Sequence, residues 1–172
     1  MRRADEGKAH KGRTREVGHH WEVMVKEDGI ADRPSPTVMS SVKLLGLPRT
    51  CWRCGSTSTA IIGMMEASGD LFSEDLVLCD SDEILAVAWE HLPDEARTRW
   101  QVGEVAYRSS KAANSTYLSN GCASCGALFG AFPLFHEDVP EALATHGTEA
   151  FITLVTVGMP RQVFDVAYES RW

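Results

Sequence analysis

The stretches CWRCG at residues 51–55 and CASCG at residues 122–126 decide how this chain reads. Two residues between cysteines let the backbone curl so that both sulfurs face one tetrahedral metal ion, at a Zn–S distance of about 2.3 Å. A glycine follows the second cysteine in each copy, Gly55 and Gly126, where such a turn commonly needs a positive φ or a close backbone approach. Amides exposed there can donate to the thiolates. Cys51, Cys54, Cys122 and Cys125 are therefore the candidate ligands of a single metal ion. Four thiolates suit zinc and also accept iron. They fill a tetrahedral shell and leave no position for water, so such an ion is structural rather than catalytic.

Working outward, VKLLGL (42–47) enters the first pair and TAIIGMM (59–65) leaves it, which predicts a hairpin over 42–65 with the cysteines at its tip. STYLSN (115–120) and ALFGAF (127–132) predict a second hairpin around Cys122 and Cys125, since both carry residues suited to a half-buried sheet. Between the hairpins, LVLC (76–79) reads as a short strand. Residues 81–100 read as helix, with Ile84, Leu85, Val87, Ala88 and Leu92 on one face, Ser81 or Asp82 as N-cap, and Pro93 breaking or restarting the run. Past the second pair, Pro140 to His146 predicts one or two helical turns ended by Gly147. FITLVTV (151–157) is the strongest strand signal, and Val163 to Tyr168 reads as a further strand. The 67 residues from 55 to 121 make a long gap for a compact two-hairpin unit, so the helical segment must leave the sheet and return to it.

Both knuckles resemble those of the zinc-ribbon superfamily. The second, within YLSNGCASCGALFG, also resembles poorly characterised bacterial zinc-ribbon-like proteins in which an aromatic residue and Asn precede C-x-x-CGA, here Tyr117 and Asn120 before Cys122, Cys125, Gly126 and Ala127. The resemblance covers under a third of the chain and implies metal binding without naming a substrate. Zinc ribbons serve many processes, so the analogy does not select one.

The expected architecture is thus α+β. It comprises a zinc-ribbon-like antiparallel sheet with a helical insertion at about 80–100, and added C-terminal strands, over a single domain at 38–172. Residues 1–37 read as a disordered or loosely attached leader, poor in apolar residues up to His20. Within it WEVMVK (21–26) alternates like a strand, and Met24 and Met39 raise the expectation of a natural start downstream. His19 and His20 there are expected to bind metal adventitiously at most.

Of the formal charge of −7, the first 20 residues carry +3 and the remainder −10. An acidic body repels phosphate backbones, which disfavours nucleic acid as a partner and favours protein. If nucleic acid did bind, the leader or Arg49 and Arg53 would have to carry it. No apolar run reaches membrane-spanning length and the leader lacks a secretory signal's apolar stretch, so a cytoplasmic location is expected. The odd count of five cysteines is a poor disulfide framework, in keeping with reduced, metal-binding thiols. A thioredoxin-like redox pair would open a helix, whereas Gly55-Ser56-Thr57-Ser58-Thr59 opens one poorly.

Other residues receive quieter readings. Lys43, Arg49 and Arg53 are expected to compensate the −2 charge of a four-thiolate zinc. Trp52 is expected to cover the site, and Cys79 to be a core residue. His136, Glu137 and Asp138 read as a solvated turn, and His91 and His146 as surface or helix-end residues. The chain shows no nucleotide-binding glycine loop, G-x-S-x-G elbow or H-E-x-x-H helix. The preferred reading is a non-enzymatic binding or adaptor protein. The alternatives are a hydrolase or nuclease-like enzyme using His136, Glu137 and Asp138 with Glu104 or Asp165, a nucleic-acid-binding ribbon, and a redox switch that ejects zinc.

Overall fold

A computed structural model describes residues 37–69 and 76–169. The leader, WEVMVK, His19 and His20 lie outside these residues. The fold is α+β. Its main sheet has four antiparallel strands in the order β3 (Val77–Leu78), β2 (Thr57–Glu66), β1 (Met39–Thr50), β6 (Ile152–Pro160), and a two-stranded sheet pairs β4 (Ala106–Ser110) with β5 (Ser115–Ser119).

The first hairpin forms as its sequence dictates. β1 (Met39–Thr50) and β2 (Thr57–Glu66) pair from Val42–Glu66 to Thr50–Thr57, with a bulge after Leu45. β1 alternates over Ser40, Val42 and Leu44, then stays buried from Leu44 to Leu47, where it runs between β2 and β6 as an interior strand of the sheet. β2 is buried from Ser58 to Met65 and behaves as a central strand covered on both faces. Ile61, Ile62, Met64 and Met65 are wholly enclosed, each worth about 1.5–3 kcal/mol in removal from water.

β3 (Val77–Leu78) extends the sheet beside β2, and α1 (Asp82–Glu90) follows. The Ser81 hydroxyl accepts from the Ile84 amide at 3.3 Å, giving the helix its predicted cap. Ile84, Leu85 and Ala88 are its buried face. Pro93 ends the first helix and precedes α2 (Asp94–Arg99). Arg97 ties the two together, stacking over Trp89 at 3.6 Å and donating to its carbonyl at 2.8 Å. Both helices lie between the knuckles, where the insertion was expected.

The second knuckle departs from the two-hairpin expectation. STYLSN supplies β5 (Ser115–Ser119), but its partner is β4 (Ala106–Ser110), not ALFGAF. The exit from the knuckle makes a single bridge, Gly121 to Leu128, before Gly130 and Pro133 turn the chain into helix. That helix begins as α3 (Ala131–Pro133), passes through a π turn (Leu134–Asp138) and continues as α4 (Val139–His146). Pro140 accounts for the irregularity: it offers no amide to the His136 carbonyl, and the register widens just before it. His136, Glu137 and Asp138 are therefore helical, correcting the solvated-turn reading. Gly147 ends α4 at φ 61°, as expected.

β6 (Ile152–Pro160) pairs with β1 and completes the sheet. The Val163–Tyr168 strand is corrected to a helix, α5 (Arg161–Glu169), with Phe164 and Ala167 buried. Their spacing of three places both on one helical face. Among the described residues no helix is long and apolar enough to cross a membrane.

Candidate metal centre

Each C-x-x-C-G pentapeptide folds into the same turn. Gly55 N donates to Cys51 O, and Gly126 N donates to Cys122 O, both at 2.9 Å. Cys51 N donates to Ser56 O and Cys122 N to Ala127 O, again at 2.9 Å. Gly55 and Gly126 sit at φ 73° and 66°, where a side chain is strained, which is why both copies carry glycine. Inside each turn an amide reaches the first sulfur, Arg53 N to Cys51 Sγ and Ser124 N to Cys122 Sγ, both at 3.4 Å.

The two turns face each other across the fold. Cys51 Sγ lies 3.7 Å from Cys125 Sγ, and Cys54 Sγ lies 3.6 Å from Cys122 Sγ. All four sulfurs lie within 4.8 Å of one another. A tetrahedral ion with bonds of about 2.3 Å requires sulfurs roughly 3.8 Å apart, whereas a disulfide requires about 2.05 Å. The cluster could hold such an ion, and none of the four cysteines is in a disulfide. Cys51 and Cys122 are buried, Cys125 is half-buried and Cys54 is exposed.

Contacts from β2 and from the Val102–Gly103 segment join the knuckles to the rest of the chain. The Val102 segment runs between them, bridged to Thr59 on one side and to Cys122 on the other. Gly103 passes so close behind the second knuckle that an added Cβ would meet the Gly121 carbonyl and come 2.7 Å from the Ala123 amide. The buried Ser58 hydroxyl donates to Cys122 Sγ at 3.4 Å and accepts from the Ala123 amide at 2.9 Å, so a side chain of β2 holds the opposite knuckle.

This environment separates the thiols electrostatically. Burial pushes Cys122 up, but donors from Ser58 and the amides of Cys125 and Ser124 outweigh it and bring the thiol down to about 6. The Ala127 amide pulls Cys125 down, while burial and the three neighbouring thiols push harder, leaving it at about 12. Cys54 is lowered, chiefly by the Ser56 hydroxyl and amide.

The expected cationic compensation is only partly in place. Lys43 stands eight residues before Cys51 on an extended strand, roughly 26 Å away at the rise of a β-strand. Arg49 is engaged elsewhere, 2.6 Å from Asp138 and over the Phe129 ring at 5.4 Å. Arg53 remains on the knuckle. The cation that sequence reasoning missed is Arg108: Nε donates to Gly126 O at 3.1 Å, and its two terminal nitrogens reach Ser119 O at 2.8 Å and Glu104 O at 3.0 Å. Its position depends on β4 folding beside the second knuckle, which no local pattern announces.

Trp52 is corrected from a buried cover. Its ring is 74% exposed, while its indole N–H donates to the Leu128 carbonyl at 2.9 Å and so clips the first knuckle to the exit of the second. Cys79 is a core residue as expected, 1% exposed, with burial first and Asp80 second raising its thiol. His91 caps α1, its ring nitrogen 2.9 Å from Val87 O, and His146 ends α4. His136 stacks on Phe132, Asp138 is held by Arg49, and Asp165 by Arg161 at 3.0 Å. Among the described residues, the four cysteines alone bring three or more His, Cys, Asp or Glu ligand atoms to metal-binding range.

Fold and site together define an α+β chain with four cysteines clustered at metal-binding distance, an arrangement consistent with a zinc-ribbon-like site. No protein-family model, curated protein or solved structure compared with the chain matches it.

Proposed function

We propose that this chain is a zinc-binding member of the zinc-ribbon superfamily in which a structural ion clamps two distant knuckles, and that it works as a non-enzymatic binding or adaptor protein with a protein partner. The observation that carries the reading is the spacing of the sulfurs, 3.6 and 3.7 Å for the two closest pairs across the knuckles. Four thiolates around zinc leave no site for a reacting water, so the ion's work is to fix structure. Support for a protein partner comes from the acidic body and from Arg49, whose charge is taken up by Asp138 rather than offered to phosphate. Of His136, Glu137 and Asp138, the Asp138 carboxylate is already paired with Arg49 and the imidazole is stacked on Phe132, which weighs against the hydrolase reading.

Native mass spectrometry with metal analysis of protein purified from its host tests this. One zinc per chain is expected, lost in Cys54→Ser and Cys125→Ser. A chain without metal that unfolds no more readily in chelator would defeat the proposal.

A further inference from the structure

A cavity of about 810 Å³ lies against the metal centre, between the end of β1, the first knuckle, the β4–β5 turn and the segment 128–133. Trp52, Tyr117, Phe129 and Phe132 line it. Two of these rings are left uncovered, Trp52 at 74% and Phe132 at 66% exposure. They are also held in place: Trp52 by its bond to Leu128 O, Phe132 by stacking on His136 at 4.8 Å, and Tyr117 by the Ala131 amide at 3.4 Å from its hydroxyl. Open aromatic rings on a fixed frame are what protein interfaces favour, because little freedom is lost on docking.

Charge narrows the occupant. Asp80 and Asp82 line the same cavity, and among the described residues neither is paired with a base. Asp82 accepts the Leu118 amide at 3.1 Å, which leaves its second oxygen for a ligand. The cation in the lining, Arg49, is bound to Asp138, and Lys111, in the same turn, is not among the lining residues. Aromatic faces beside carboxylates without a base hold cations: the rings attract a cation through their quadrupole and the acids through charge. The space exceeds what one side chain fills, and the open rings extend the contact along a segment of polypeptide.

We infer that this cavity docks a lysine or arginine side chain presented, beside apolar residues, by a protein partner. The inference rests on the reading of the chain as a metal-clamped binding protein, since one wall of the cavity is the first knuckle, which Trp52 clips to the exit of the second.

Selection of phage-displayed random dodecapeptides on the immobilised full chain tests it, with metal content measured on the same preparation. Selected sequences should carry Lys or Arg next to an apolar residue. As synthetic peptides they should bind with affinity that falls with added salt and drops about tenfold when the base is replaced by glutamate. The Asp80→Asn, Asp82→Asn double variant should weaken binding by a similar factor at unchanged metal content, as should Phe132→Ala. No enrichment, enrichment of acidic or uncharged sequences, or binding indifferent to the double variant overturns the inference. A metal-free preparation counts against the zinc reading, whereas a metal-replete chain that selects no basic peptide defeats this inference alone.

Discussion

The side-chain amide of Asn120 makes to Ile61 both hydrogen bonds that a neighbouring strand would make: Oδ1 accepts from the Ile61 amide at 2.8 Å and Nδ2 donates to the Ile61 carbonyl at 3.0 Å. One residue's amide thus stands in for a strand and fastens the approach to the second knuckle onto β2. Asn120→Ala should cost about 2–4 kcal/mol, because two buried backbone groups lose their partners. Asn120→Asp should be no better, since a carboxylate set against the Ile61 carbonyl cannot donate. Urea unfolding of the metal-loaded protein measures this, and a loss under 1 kcal/mol for the alanine variant would contradict the role assigned.

Gly103→Ala should loosen the metal centre from behind. The added methyl has only backbone to displace, the Gly121 carbonyl and the Ala123 amide. Destabilisation of about 2–4 kcal/mol is expected, accompanied by faster transfer of zinc to a chromogenic chelator. Unchanged transfer kinetics would mean that the second knuckle does not depend on this contact.

Zinc loading near pH 7.5 should release fewer than four protons per ion. Binding requires four thiolates, and in the metal-free cluster Cys122, at about 6, is already deprotonated at that pH while Cys125, at about 12, is not. Calorimetric titration in two buffers of different ionisation enthalpy gives the count. In Ser58→Ala, which removes a donor to Cys122, the count should rise. Release of four protons by the unaltered protein would refute the assignment.

Cys79→Ala should lose about 1 kcal/mol near neutrality by emptying a well-packed site. Burial raises the folded thiol above its ordinary value of 9.0, so the folded chain keeps its proton where the unfolded chain gives it up. The stability owed to the neutral thiol is intact below pH 9 and declines as the pH rises toward the folded value, at about 1.4 kcal/mol per unit. The advantage of Cys79 over alanine should therefore shrink between pH 8.5 and 10.5 in paired urea titrations. A constant or widening gap would show that the thiol is not protected.

The first hairpin was legible because Val42 to Leu47 and Thr59 to Met65 are apolar runs on either side of a defined turn. The cysteines were legible for a related reason: a repeated local motif needs no knowledge of the rest of the chain. The second arm misled because ALFGAF has strand composition, yet Gly130 and Pro133 stop it after one bridge. Val163 to Tyr168 was ambiguous, since Val163 and Ala167 satisfy period two and Phe164 and Ala167 satisfy a helix. Arg108, Ser58 and Gly103 carried no local signal, because each acts on the second knuckle from another part of the chain. Trp52 was misread by its type: its N–H found a carbonyl, which left the ring free to face the cavity instead of the core.

The Val102 bridge between Thr59 and Cys122 has a temporal meaning. A ribosome adding on the order of 5–20 residues per second needs roughly 3–13 s to pass from the first thiol pair to the second. Through that interval Cys51 and Cys54 have only half of the thiol set, and the Val102 segment that will seat the other half emerges only after both inserted helices have been made. An ion that needs all four thiols would therefore be captured only after the second pair has been made, at a time set by translation.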